Sequence, residues 1–254
     1  MDLRGASIDE LFALARASEN EDAYWDCVAE LHGRPDERTF KLAEVLCDSF
    51  TAGERCLGAD VLGQLGAPDP PFADAGGAAL LRLLEEDEEP AVLASAAVGL
   101  GHLRDARAIG RLAELASHFS PAVRRAVVHG LMGHDDDRAV AALIALSADP
   151  DEDVRDWATF ALGVQIDRDD SELREALAAR LEDPNVDARA EAIRGLARRG
   201  DRRALEPALA AAGEADGRAP AMDEAIELLA QSIDDPRLRP HLDRIRSVEG
   251  PQES

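Results

Sequence analysis

Apolar and small residues recur along the chain at helical spacing. Val154, Ala158, Thr159 and Leu162, for example, form the stripe of an amphipathic helix with a period of about 3.6 residues. The stripe itself repeats. Segments 90–101, 121–132 and 153–163 share it, and their closing leucines, Leu100, Leu131 and Leu162, stand 31 residues apart. Leu31, Leu62, Leu196 and Leu229 extend the series to seven units, at intervals of 31, 38, 31, 31, 34 and 33 residues. Other positions keep the same register. Val92, Val123 and Val154 lie eight residues before an anchor leucine, and Arg55, Arg124, Arg155 and Arg189 lie seven before one. Five residues after it comes Asp36, Asp105, Asp136, Asp167, Asp201 or Asp234, with Ala67 the departure.

Each unit therefore reads as two helices. The first carries the anchor, and the recurring aspartate caps the second, whose apolar positions include Ile109, Leu112 and Leu115 in one unit and Val140, Leu143 and Leu146 in the next. A capping carboxylate satisfies orphan N–H groups at the positive end of the helix dipole, worth roughly 0.5–2 kcal/mol. Ser120-Pro121, Asp149-Pro150 and Asp183-Pro184 are expected to open first helices, where proline lacks only an N–H that has no partner. Glycines beside the anchors, such as Gly63, Gly99, Gly163 and Gly195, weaken a helix by about 0.5–1 kcal/mol each, a cost recovered where neighbouring backbones approach closely.

The pattern predicts an all-α fold, an α-solenoid of about seven stacked helical hairpins over residues 1–246. Ser7 and Glu10 form a capping box for an opening helix, 67–77 is an insert loop, 213–220 a second loop and 247–254 a disordered tail.

Composition narrows the function. Twenty-eight basic against fifty-two acidic residues give a net charge of −24, which disfavours nucleic-acid backbones because that binding neutralises phosphates with Lys and Arg. Every apolar run is cut by charge well short of the ~18 residues of a membrane span, so no membrane partner is expected. Three cysteines without paired zinc spacing, Cys27, Cys47 and Cys56, and an N-terminus without an apolar leader fit a cytoplasmic address.

A unit reading Pro-x-Val-Arg, small-apolar helix, Leu-Gly, Asp and a second helix resembles HEAT-like repeats of the phycobilisome-lyase type, over nearly the whole chain. The resemblance implies a right-handed superhelix with an extended concave surface. Families of this build include phycobilin lyases, related DNA-alkylation glycosylases and scaffolds without chemistry. Tyr24, Leu93 and Met222 depart from the Arg register, and divergence at Tyr24 and Met222 suits terminal caps.

Candidate chemistry is sparse. The Arg and Asp ladders read as pairs between adjacent units, such as Asp136 with Arg155 or Asp167 with Arg189, rather than as a ligand groove. Asp149 to Asp153 alternate like a calcium loop, but Val154 and Phe160 occupy the positions that need Gly and Glu. His129 and His134 are five residues apart, not four, so no metal site is expected, and neither cofactor nor catalytic residue emerges. Two surface features are sharper. Two residues before the anchor stand Val98, His129 and Phe160, with Trp157 near the last; together they read as a ridge that anchors a partner or, alternatively, as lateral packing between first helices. Acidic turns, among them 85–89, either keep the solenoid soluble or attract a basic protein. The expectation is a non-enzymatic interaction scaffold for a protein or peptide, basic in character. The alternative is a tetrapyrrole-handling protein like the phycobilin lyases.

Overall fold

The computed structural model describes residues 3–212 and 219–249, and among these the chain is helical without strands. Its α-helices in order are α1 (Ile8–Ala17), α2 (Glu21–His32), α3 (Glu37–Leu46), α4 (Ala52–Gln64), α5 (Ala73–Glu86), α6 (Pro90–His102), α7 (Ile109–Leu115), α8 (Pro121–Leu131), α9 (Asp137–Leu146), α10 (Glu152–Phe160), α11 (Ser171–Ala178), α12 (Val186–Arg198), α13 (Leu205–Ala211), α14 (Ala219–Ser232) and α15 (Arg239–Glu249). The chain divides into two compact units, Met1–Ala139 and Val140–Ser254.

Six of the anchor leucines lie in the last turn of the even-numbered helices, Leu162 lies in the π-turn Ala161–Gln165 that follows α10, and none of the seven is more than 3% exposed. Val92, Val123 and Val154 are fully buried. Within each unit the anchor helices stack on one another and the odd-numbered helices pack outside them. Glycine sets the spacing. A Cβ added to Gly63 would stand 2.6 Å from the Cα of Gly99 in the first unit, and one on Gly195 would stand 2.6 Å from the Cα of Gly163 in the second. Any side chain there would force the backbones apart. The outer helices are instead spanned by long ion pairs, Arg107–Asp74 at 3.1 Å in the first unit, Arg203–Glu175 at 2.7 Å and Arg237–Glu206 at 2.6 Å in the second.

Several boundaries differ from the sequence reading. α5 begins at Ala73, so the insert is confined to 65–72 and residues 73–77 are helical. α14 begins at Ala219, and the rest of the loop expected at 213–220 lies outside the described residues. α15 continues to Glu249, whereas the remainder of the tail expected at 247–254 is likewise outside them. Ser7 and Glu10 do form the capping box of α1. Pro121 opens α8 as expected, but α10 and α12 begin after Asp151 and Asn185, which cap them in place of Asp149 and Asp183.

Candidate interaction surface

The aspartate ladder splits into two groups. Asp36, Asp105, Asp136 and Asp201 accept from backbone N–H groups at the start of the second helices, as the spacing predicts. Asp167 and Asp234 do not hold this role; Asp170 and Asp235 cap instead. The cause is helix length. The helix of Asp167's unit runs on through a π-turn, Ala161–Gln165, and α14 extends to Ser232, so each uses up residues before the cap. Asp167 pairs with Arg198 at 3.2 Å. An arginine two residues after the cap, Arg107, Arg203 or Arg237, grips Asp105, Asp201 or Asp235 and reaches back to the preceding outer helix. The hydrogen bonds from Arg203 hold the Asp201 carboxyl down at about 2. This Asp-x-Arg spacing is present in the sequence as a second register.

The arginine ladder also pairs differently from the expectation. Arg55 donates to the carbonyls of Ser49 and Phe50 and to Asp87; Arg155 donates to those of Asp149 and Pro150 and to Asp183; Arg189 donates to those of Asp183 and Pro184. Arg124 holds the carbonyls of His118 and Phe119. Asp136 pairs with Arg138, not Arg155. The arginines sit near the start of the anchor helix and the capping aspartates beyond its end, about 16–20 Å apart along a helix of 11–13 residues. Each arginine therefore braces the turn before its own helix, and Arg55 and Arg155 tie it to the corresponding turn one repeat on.

The ridge residues are placed as follows. In the first unit Val98 on α6 and His129 on α8 are half-buried, and burial lowers the His129 pKa, with Arg125 and His102 adding to it. In the second unit Trp157 is 39% exposed on α10, with the half-buried Phe160 edge-on to it at 5.8 Å. Beside them lies Asp156, whose Oδ1 is buried without a hydrogen-bond partner; burial and the charges of Asp187, Asp153 and Asp183 push its pKa up to about 6. Glu191 on α12 is raised too, mainly by burial, and its salt bridge to Arg194 is 2.9 Å long.

A polar network on the anchor helices of the first unit escapes the sequence reading. The Tyr24 hydroxyl donates to Asp60 at 2.6 Å, and the His32 Nε2 donates to the Asp60 carbonyl at 2.9 Å. Burial raises the Asp60 pKa against the bonds from Tyr24 and Ser95. Asp60 occupies the register of Val98 and Phe160, so an ionisable group in an apolar column is the available signal. Tyr24, which departs from the arginine register, is its partner. Cys27 and Cys47 are buried and Cys56 is half-buried, with burial pushing Cys47 up to about 12 and Cys56 up to about 11, far from a reactive thiolate. Among the described residues no three His, Cys, Asp or Glu side chains converge as metal ligands, and no helix is long and apolar enough to cross a membrane.

Stacked helical hairpins with buried anchor leucines define a helical repeat protein of the α-solenoid class. The model of HEAT repeats matches residues 77–163, about a third of the chain. Protein YibA of Escherichia coli is 40% identical over 83 residues, 33% of this chain and 29% of YibA, so the aligned region spans under a third of that relative. The X-ray structure of YibA superposes with a TM-score of 0.73 at 24% identity, covering 95% of this chain and 93% of YibA. The complex of CpcE and CpcF of phycocyanin lyase from Nostoc sp. PCC7120 gives a TM-score of 0.51 at 18% identity over 94% of this chain and 95% of the other. A designed armadillo repeat protein gives 0.50 at 16% identity over 79% and 99%. At these identities the likeness is one of fold.

Proposed function

We propose that this protein is a non-enzymatic interaction scaffold that holds a basic protein or peptide against the anchor-helix side of its repeats. The observation that carries the reading is the surface of α10, where an exposed Trp157, against the Phe160 ring, follows directly on the half-buried Asp156, one of whose carboxyl oxygens has no hydrogen-bond partner. An aromatic anchor next to acidic groups suits a Lys- or Arg-bearing segment, whose alkyl stem covers the ring while its cation meets the carboxylate. HEAT- and armadillo-like repeats commonly mediate protein interaction, which supports the general reading, and the net charge of −24 supports the basic character of the partner. The same charge opposes nucleic acid. The likeness to the phycocyanin lyase complex is one of backbone alone and brings no tetrapyrrole to this chain.

The test is fluorescence anisotropy with a labelled Lys/Arg peptide. Binding should weaken at least tenfold between about 50 and about 300 mM NaCl, as screening removes the attraction. Trp157→Ala should weaken binding about tenfold while costing only about 1 kcal/mol of stability, the edge contact with Phe160. Salt-independent binding, or an unfolded Trp157→Ala protein, would overturn the reading.

A further inference from the structure

The turns that precede the anchor helices of the first unit lie along one edge, because those helices stack side by side in the same direction. Two of these turns present phenylalanine to solvent. Phe50 is fully exposed and Phe119 is 80% exposed. Neither is loosely hung. Arg55 fixes the Phe50 carbonyl at 3.1 Å and Arg124 fixes that of Phe119 at 3.2 Å, while the His118 ring lies 4.4 Å from the Phe119 ring. Braced turns thus hold two large apolar side chains in water.

Between them come the end of α5 and the turn 87–89, and next to the Phe50 turn is a cleft of about 470 Å³. Its lining includes Asp48, Glu86, Asp87, Glu88 and Glu89 against two cations, Arg55 and Arg82. Both cations are already taken, Arg55 by Asp87 at 2.6 Å and Arg82 by Asp48 at 2.7 Å. No salt bridge among the described residues engages Glu86, Glu88 or Glu89. The edge is therefore apolar, acidic, apolar.

We infer that this edge is a second docking surface, and that it takes an extended basic segment with a large apolar side chain near each end. The inference rests on the reading of the protein as a scaffold for basic partners and gives it a second address, on the turn edge of the first unit. Charge selects the occupant, since Glu86, Glu88 and Glu89, which no salt bridge engages, lie between the two rings. Spacing sets its length. Phe50 and Phe119 are two repeats apart; at about 10 Å per layer of helices the rings are separated by about 20 Å, which an extended chain at about 3.3 Å per residue spans in about six residues. Backbone and apolar ends would cover the rings while Lys or Arg side chains between them face the glutamates.

The probe is a blocked hexapeptide with leucine at both ends and alternating arginine and lysine between, compared with the same peptide ending in glycine. The wild-type protein should bind the leucine peptide about tenfold more tightly. The double variant Phe50→Ser/Phe119→Ser should erase that preference, and because both rings are exposed its circular dichroism and Tm should match wild type. Glu86→Gln/Glu88→Gln/Glu89→Gln should weaken both peptides. Trp157→Ala should leave the preference intact. Equal binding of the two peptides by wild type, or a preference that survives the phenylalanine variant, overturns the inference. A preference lost in Trp157→Ala but kept in the phenylalanine variant overturns the edge alone and leaves the scaffold reading standing.

Discussion

Asp156 is a carboxylate in a poor position. Its Oδ1 is buried without a donor, and the neighbouring charges are other aspartates. Burial first, then Asp187, Asp153 and Asp183, lift the folded pKa to about 6, above an unfolded value of about 3.9. The sign of the stability effect follows from linkage. A carboxyl that holds its proton more tightly when folded supports the fold at low pH, and that support drains away as pH rises from about 4 to about 6. The deficit then persists at neutral pH. Asp156→Asn has the same shape and no charge, so it should be more stable than wild type at pH 7.5, on the order of 1 kcal/mol at this half-buried site, and equal to it near pH 4. Urea unfolding at a series of pH values checks this. A difference that stays flat from pH 4 to pH 8 would mean that the aspartate charge costs nothing there.

Among the elements, the turn after α10 departs from regular α-helical hydrogen bonding. Ala161–Gln165 winds as a π-turn, and its carbonyls lose the regular ladder. Arg199, just past the end of α12, supplies the donors: it bonds the carbonyls of Leu162 at 3.1 Å, Gly163 at 3.2 Å, Ile166 at 2.7 Å, Arg168 at 2.9 Å and Gly195 at 2.8 Å. One guanidinium thus joins two repeats where Gly163 and Gly195 already touch. Lysine cannot replace it, because an ammonium has three donors at one point rather than a planar fork. Arg199→Lys should cost about 2–3 kcal/mol in chemical denaturation and speed amide exchange at residues 161–168 before the rest of the second unit. Unchanged exchange in that stretch would refute the bracing role. How far such features can be read from sequence depends on whether they repeat. The anchor leucines, the valines eight before them and the glycine contacts follow from one periodic pattern, because each repeat buries the same face on the next. The second-helix caps are legible wherever the helix keeps its length. They slip at Asp167 and Asp234, since helix lengthening and a π-turn leave no periodic mark. Pairing is harder to read: the register sets Arg155 against the aspartate ladder, yet Arg155 stands at the start of its helix, where it meets Asp183 instead. On the candidate surface the Trp157–Phe160 patch follows from register. The Tyr24–Asp60 bond and the orphan oxygen of Asp156 depend on side-chain directions that a single sequence does not state.

At the scale of the whole chain, fifty-two acidic residues against twenty-eight basic ones leave many carboxylates without a counter-charge. Salt has two opposing effects on such a molecule. It screens the exposed ion pairs that span the outer helices, such as Arg203–Glu175 and Arg237–Glu206, each contributing about 0–1 kcal/mol. It also screens the repulsion among the excess carboxylates, which favours the expanded chain at low ionic strength. The repulsion outweighs the attraction, because the attractive pairs are local while the net charge of −24 acts over the full surface. Raising NaCl from about 10 to about 200 mM at pH 7.5 should therefore raise the Tm by several degrees, as the screening length falls from about 30 Å to below 10 Å. Near pH 4.5, where the sequence carries little net charge, the same addition should leave Tm unchanged or lower it, since only the ion pairs remain to be screened. Thermal scans by circular dichroism at the two pH values separate the two effects. A Tm that falls with salt at pH 7.5 would show that the ion pairs, and not the acidic excess, govern the stability of the stack.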